Sequence, residues 1–132
     1  MEHHQFKGER TLMRIFIGER DRFGSLPLYE ALLKLLRERG FAGATAIRAI
    51  AGFGAHARVH TDKILRLSFD LPIIVEVVDT EKRIQSILPE LDQMVDGGIV
   101  TLERARVILY RPHDQPEDER WRDRIGDLRA AD

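Results

Sequence analysis

The chain has 132 residues, the usual length of one domain, and its 43% hydrophobic and 33% charged residues can bury a core while keeping a solvated surface. With 21 basic and 22 acidic residues the formal charge is -1, so no global field draws the protein to nucleic acid or an anionic membrane, and any anion site must be local. It has no cysteine, which excludes disulfides, thiolate metal sites and cysteine nucleophiles.

Residues 1–11 read as an N-terminal extension without the apolar stretch of a secretory signal, and a cytoplasmic location is expected. From Leu12 to Gly18 the residues alternate, with Met13, Ile15 and Ile17 on one face and Arg14 on the other, which predicts a half-buried strand. A polar turn follows with Asp21, Gly24 and Ser25. Pro27 then suits a helix's first turn, Leu28, Leu32, Leu35 and Leu36 keep helical spacing, and Gly40 supplies the stop. Gly43 to Ala51 alternates again and ends at Gly52-Phe53-Gly54. Residues 55–70 carry a mixed pattern and are expected to form a long, mobile connection. Pro72 opens the β-branched run Ile73 to Val78, a buried central strand, interrupted by Glu76 and far too short to cross a bilayer.

Asp79 or Thr80 can cap the next helix, whose apolar residues Ile84, Ile87, Leu88, Leu91 and Met94 keep the helical period. Pro89 inside that pattern predicts a kink or two short helices. Asp96-Gly97-Gly98 turns the chain into a last strand, Ile99 to Tyr110. The order βαββαβ predicts an α+β, ferredoxin-like domain over residues 12–111: a four-stranded antiparallel sheet, two helices on one face and a long loop between the second and third strands. Its other face is uncovered, with Ile50, Val75, Val77 and Val107 expected to need partners there. Residues 112–132 form a charged tail in which Trp121, Ile125 and Leu128 fall at helical spacing, so it is either a docked amphipathic helix or a solvated extension.

Ala51-Gly52-Phe53-Gly54, then Asp70-Leu71-Pro72 before the apolar run, and Asp96-Gly97-Gly98-Ile99 before the last strand together resemble the PII-like (GlnB-like) signalling proteins. Gly18-Glu19-Arg20-Asp21, Pro27-Leu28-Tyr29-Glu30, Gly43-Ala44-Thr45 and Val100-Thr101-Leu102 are most similar to that superfamily's uncharacterised branch. The resemblance implies a homotrimer, small-molecule effectors in clefts between subunits, and regulation of a transporter, channel or enzyme through the long loop. The chain departs from the classical pattern in two respects. Residues 55–70 contain no tyrosine to be modified, and the positions of the family's phosphate-binding lysines fall among Ile73, Ile74 and Val75 and at Gly98.

Gly52 and Gly54 would expose backbone N–H groups, and with Phe53, His56, Arg58, His60 and Lys63 they form a candidate anion site. Gly97 and Gly98 add a second glycine turn. Arg104 and Arg106, two apart on a predicted strand, share one face and could grip a phosphate or form salt bridges at an edge. Glu19 and Asp21 could do acid-base work or simply cap turns.

The expected function is that of a regulator, not an enzyme. It would bind a small anionic effector, an adenine nucleotide for instance, through Gly52, Phe53, Gly54, His56 and Arg58 with Gly97, Gly98, Arg104 and Arg106, and would use no cofactor. The alternatives are a metal-binding or metal-tolerance trimer with His56 and His60 as ligands, and a small ferredoxin-like enzyme.

Overall fold

The alternation visible from Leu12 starts earlier in three dimensions. In the computed structural model, which describes residues 7–54 and 70–112, β1 runs Gly8–Gly18 and β6 runs Ile99–Val107. Residues 8–11 are held in β1 because each finds a partner on β6, from Gly8 opposite Val107 to Thr11 opposite Arg104. The predicted polar turn holds a small hairpin, β2 (Arg22–Phe23) with β3 (Leu26–Pro27).

Helix α1 spans Leu28–Glu38 with Pro27 as its cap residue, one position earlier than the sequence suggests. Pro27 has no side-chain acceptor, but the backbone of Asp21 accepts a 2.7 Å bond from the Leu28 N–H. At the other end Gly40 takes φ +77°, so that Gly40 N–H reaches the Arg37 carbonyl and Phe41 N–H the Leu36 carbonyl, the paired bonds of a Schellman stop. Strand β4 (Thr45–Arg48) is shorter than the alternation predicts, and β5 spans Pro72–Asp79. Helix α2 spans Glu81–Met94, with Thr80 Oγ1 accepting from the Arg83 N–H at 3.2 Å. It is one helix, not two. The carbonyl that Pro89 deprives of a donor belongs to Gln85, and both residues lie on the exposed side, where water can replace the bond.

The sheet order is β4-β5-β1-β6, all neighbours antiparallel, which is the ferredoxin-like α+β arrangement expected. Met13, Ile15 and Ile17 of β1 and Ile73, Val75 and Val77 of β5 are buried with Leu28, Leu32 and Leu36 of α1 and Ile84, Ile87 and Leu91 of α2. This corrects one expectation: Val75 and Val77 belong to the core beneath the helices. The residues of β5 on the open face are Ile74, Glu76 and Val78, since Ile74 is registered with Phe16 and Ile47, and Phe16 with Ile99. Those four apolar side chains make a row across the whole open face, and Ile99 is 61% exposed.

Asp79 closes β5 as the one buried charged residue among those described. Its carboxylate accepts from the Thr80 N–H at 2.8 Å and from the Ala42 N–H at 3.1 Å, and lies 3.7 Å from Arg83 Nη1. Among the described residues no helix is long and apolar enough to cross a membrane.

Candidate functional site

One end of the sheet gathers the glycine turns. There Gly18, the last residue of β1, is registered with Pro72, the first of β5. Gly52 packs on that pair: its φ is +154°, and a Cβ would lie 3.0 Å from Pro72 Cγ. Gly98 adopts φ +151° beside β1, where a Cβ would collide with the carbonyl oxygen of Phe16. These two glycines are therefore required by the close approach of backbone and ring. Gly54 differs, with nothing within 4 Å of a would-be Cβ. Phe53 is 71% exposed. The turn after β4 thus offers open backbone and an aromatic surface, the ingredients of an anion or nucleotide cradle.

The carboxylates at this end are already engaged. Asp21 Oδ2 accepts from the Gly18 N–H at 2.9 Å, Asp70 Oδ1 from the Arg20 N–H at 3.1 Å, and Glu19 Oε1 meets Arg48 Nη2 at 2.8 Å. Of the two readings of Glu19 and Asp21, the structure bears out turn capping and pairing. Tyr29, at the start of α1, feels the same cluster. Desolvation raises its hydroxyl pKa above the ordinary 10.0, reinforced by the charges of Glu30 and Glu19.

Arg104 and Arg106 lie elsewhere. They stand opposite Thr11 and Glu9 toward the far end of β6. At ~3.3 Å per strand residue, Arg104 is ~20 Å and Arg106 ~26 Å along the strand from Gly98. They do share a face, as predicted. That face is the helix side, because Arg104 is registered with Thr11, in phase with buried Met13 and Ile15. A single chain therefore sets the turns Gly52-Phe53-Gly54 and Gly97-Gly98 at the same end of the sheet and leaves both arginines away from that end. His56, Arg58, His60 and Lys63 lie outside the described residues. Among the described residues no group of three His, Cys, Asp or Glu side chains could hold a metal ion.

Two charged groups escape the sequence reading. Arg48 is hidden in a weak alternation at the end of β4. At the centre of the open face, Arg14 Nε bonds Glu76 Oε1 at 2.9 Å and its Nη1 bonds Glu103 Oε1 at 2.6 Å. The hydrogen bond donated to Glu76, with the charges of both carboxylates, holds the guanidinium protonated more firmly than that of a free arginine. The available signal was Glu76, the lone charge in an apolar run, in phase with Arg14 on the adjacent strand.

Comparison with known proteins gives this geometry a context. The model of the DUF190 family, described as an uncharacterized ACR, matches residues 10–107. A UPF0166 protein of Aquifex aeolicus is 39% identical over 100 residues, covering 76% of this chain and 94% of the relative. A UPF0166 protein of Methanocaldococcus jannaschii is 33% identical over 97 residues, covering 73% and 89%. A second Aquifex aeolicus UPF0166 protein is 30% identical over 99 residues, covering 75% and 97%. The matched span takes in β1 from its third residue, the other three strands of the sheet, both helices and both glycine turns, and the chain belongs to the DUF190 family, the uncharacterised PII-like branch that its sequence resembles.

Proposed function

We propose that this protein is a PII-like regulator, a homotrimer that binds a phosphate-bearing small effector, an adenine nucleotide, between subunits and signals its occupancy to a partner protein. The observation that carries the reading is the division of the anion-binding groups. The two glycine turns, with open backbone at Gly54, lie at one end of the sheet, and the arginines lie ~20 Å or more away from Gly98 on an edge strand. Neither half makes a closed cleft alone. The end carrying Gly52, Phe53 and Gly54 on one subunit, with His56 and Arg58 next in sequence, set against Arg104 and Arg106 of the neighbouring subunit, would provide backbone donors and bidentate cations together.

The apolar row Ile47, Ile74, Phe16 and Ile99 supports the trimer, since a sheet face with such a row is stabilised by packing on copies of itself. Effector binding then favours one conformation of the segment after Gly54, and the partner, a transporter, channel or enzyme, reads that conformation. Nothing in this scheme requires bond chemistry, and the protein acts by binding, in the cytoplasm.

Isothermal calorimetry against AMP, cyclic AMP, ADP and ATP tests it. Binding of at least one nucleotide is expected, with Arg58→Ala and Arg106→Ala each weakening it by about 1.5–3 kcal/mol, one charge-assisted hydrogen bond. Absence of nucleotide binding, with zinc or copper bound instead and lost in His56→Ala and His60→Ala, replaces this reading with the metal-binding one.

A further inference from the structure

The end of the sheet that carries the glycine turns has a cation of its own. Arg48, the last residue of β4, is registered with buried Ile73 and so stands on the helix side. Glu19 follows β1 directly, in phase with buried Ile15 and Ile17, and its N–H bonds the Leu71 carbonyl at 2.9 Å. Strand β5 lies between β1 and β4, so the two side chains reach toward each other above its first residues. Arg48 Nη2 meets Glu19 Oε1 there at 2.8 Å and Oε2 at 3.1 Å. The glycine turn is close along the chain: the Ala49 N–H bonds the Pro72 carbonyl at 2.9 Å, and Gly52 is four residues from Arg48, at most ~14 Å.

This contact leaves most of the guanidinium unused. One nitrogen meets both carboxylate oxygens, whereas Nη1 and Nε have no partner among the described residues. Arg14 differs: it places Nε on Glu76 and Nη1 on Glu103. The Arg48 side chain is 59% exposed, so a ligand can reach its other nitrogens, and an ion pair this exposed holds only weakly. The remaining carboxylates of the β1 and β5 ends do not crowd it. Asp21 Oδ1 and Asp70 Oδ1 lie 3.2 and 3.0 Å from where a Gly18 Cβ would be, which is the open face, because Gly18 is in phase with Phe16. Arg48 already holds an anion on the helix side, and a phosphate offers its fork two oxygens for two nitrogens where Glu19 takes one.

We infer that Arg48 is an anion-binding residue at this end of the sheet and that Glu19 occupies it as an internal stand-in, displaced when a phosphate group arrives. The inference rests on the effector reading in one respect, that the phosphate belongs to the effector. Glu19 is then a competitor built into the fold: it keeps Arg48 neutralised and oriented before ligand binds, and it sets the ligand concentration at which the exchange occurs. Displacement also releases the residue that opens the β1–β2 connection, so occupancy changes that loop as well.

Calorimetry on the full chain at low salt tests this, with wild type, Glu19→Gln, Arg48→Ala and the double variant titrated with pyrophosphate, AMP and ATP. Arg48→Ala should weaken binding at least about tenfold, the loss of one charge-assisted hydrogen bond. Glu19→Gln should tighten it about two- to fivefold, the scale of one exposed ion pair, and should have no effect once Arg48 is gone. The opposite signs are the critical readout, since a pair that merely fastens β1 to β4 is broken by either substitution, and both would then weaken binding. Urea midpoints of the single variants should stay close to wild type, because both side chains lie outside the core. A Glu19→Gln protein that binds no more tightly than wild type overturns the inference. Nucleotide binding that requires Arg106 but survives Arg48→Ala unchanged also overturns it, and leaves the effector reading standing. Arg48-dependent pyrophosphate binding with the two opposite signs, and no nucleotide bound, does the reverse. Binding of none of the three overturns both.

Discussion

Arg14 on β1 donates to Glu76 on β5 across the middle of the open sheet face, at 2.9 Å, and with its other nitrogen bridges to Glu103 on β6. One guanidinium thus ties the three longest strands together and neutralises a carboxylate on each neighbour of β1. Arg14→Leu should lower the denaturation midpoint at neutral pH, and adding Glu103→Gln should recover part of the loss by removing one uncompensated carboxylate. A double-mutant cycle in urea measures this; additive effects of the two substitutions would show that Arg14 does not couple the carboxylates.

Tyr29 supplies a prediction in pH. Its proton is held more tightly in the folded state than in the unfolded chain, so its contribution to stability is complete below the unfolded value of 10.0 and is lost as pH rises through the higher folded value. A tyrosinate absorbance titration should show a component with its midpoint above 10.0 that disappears in Tyr29→Phe, leaving Tyr110. Titration of Tyr29 at the ordinary value would refute its desolvation.

The apolar row of the open face is tested at Ile99, which is exposed enough in the single chain for a charge to be tolerated there. Ile99→Asp should keep the far-ultraviolet dichroism of the wild type yet lower the mass found by light scattering from trimer to monomer. A wild type that is monomeric at micromolar concentration removes the trimer from the proposed function.

The two glycine turns respond differently to the same change. Gly98→Ala should cost about 1–3 kcal/mol, because the methyl group meets the Phe16 carbonyl at a backbone conformation side chains avoid. Gly54→Ala should leave the urea midpoint within about 0.5 kcal/mol of wild type. A reduced nucleotide affinity in that variant would then report on the cradle itself and not on folding.

These contrasts show what the residues made legible and what they concealed. α1 and the alternating part of β1 could be read because one face is apolar and the other polar, which leaves a single period. β5 is apolar on both faces, so its alternation is erased, and only the parity of Glu76 distinguishes core Val75 and Val77 from open-face Ile74 and Val78. The hairpin of β2 and β3 was missed because two residues per strand carry no period. The glycine turns were legible from composition, and the shared face of Arg104 and Arg106 from their spacing. Their distance from Gly98 was not, because it depends on how far β6 runs back along β1.

Asp79 has a consequence for motion. Its single carboxylate fastens the amide that opens α2 and the amide of Ala42, in the loop leaving α1. Loosening that loop therefore means leaving a buried charge without its donors, at a cost of several kcal/mol. The α1–β4 connection and the first turn of α2 should then open together as one cooperative unit. Hydrogen exchange at Ala42 and Thr80 would report a common opening free energy, and the edge carrying β4 and its glycine turn would be anchored at this end while free to adjust at the other.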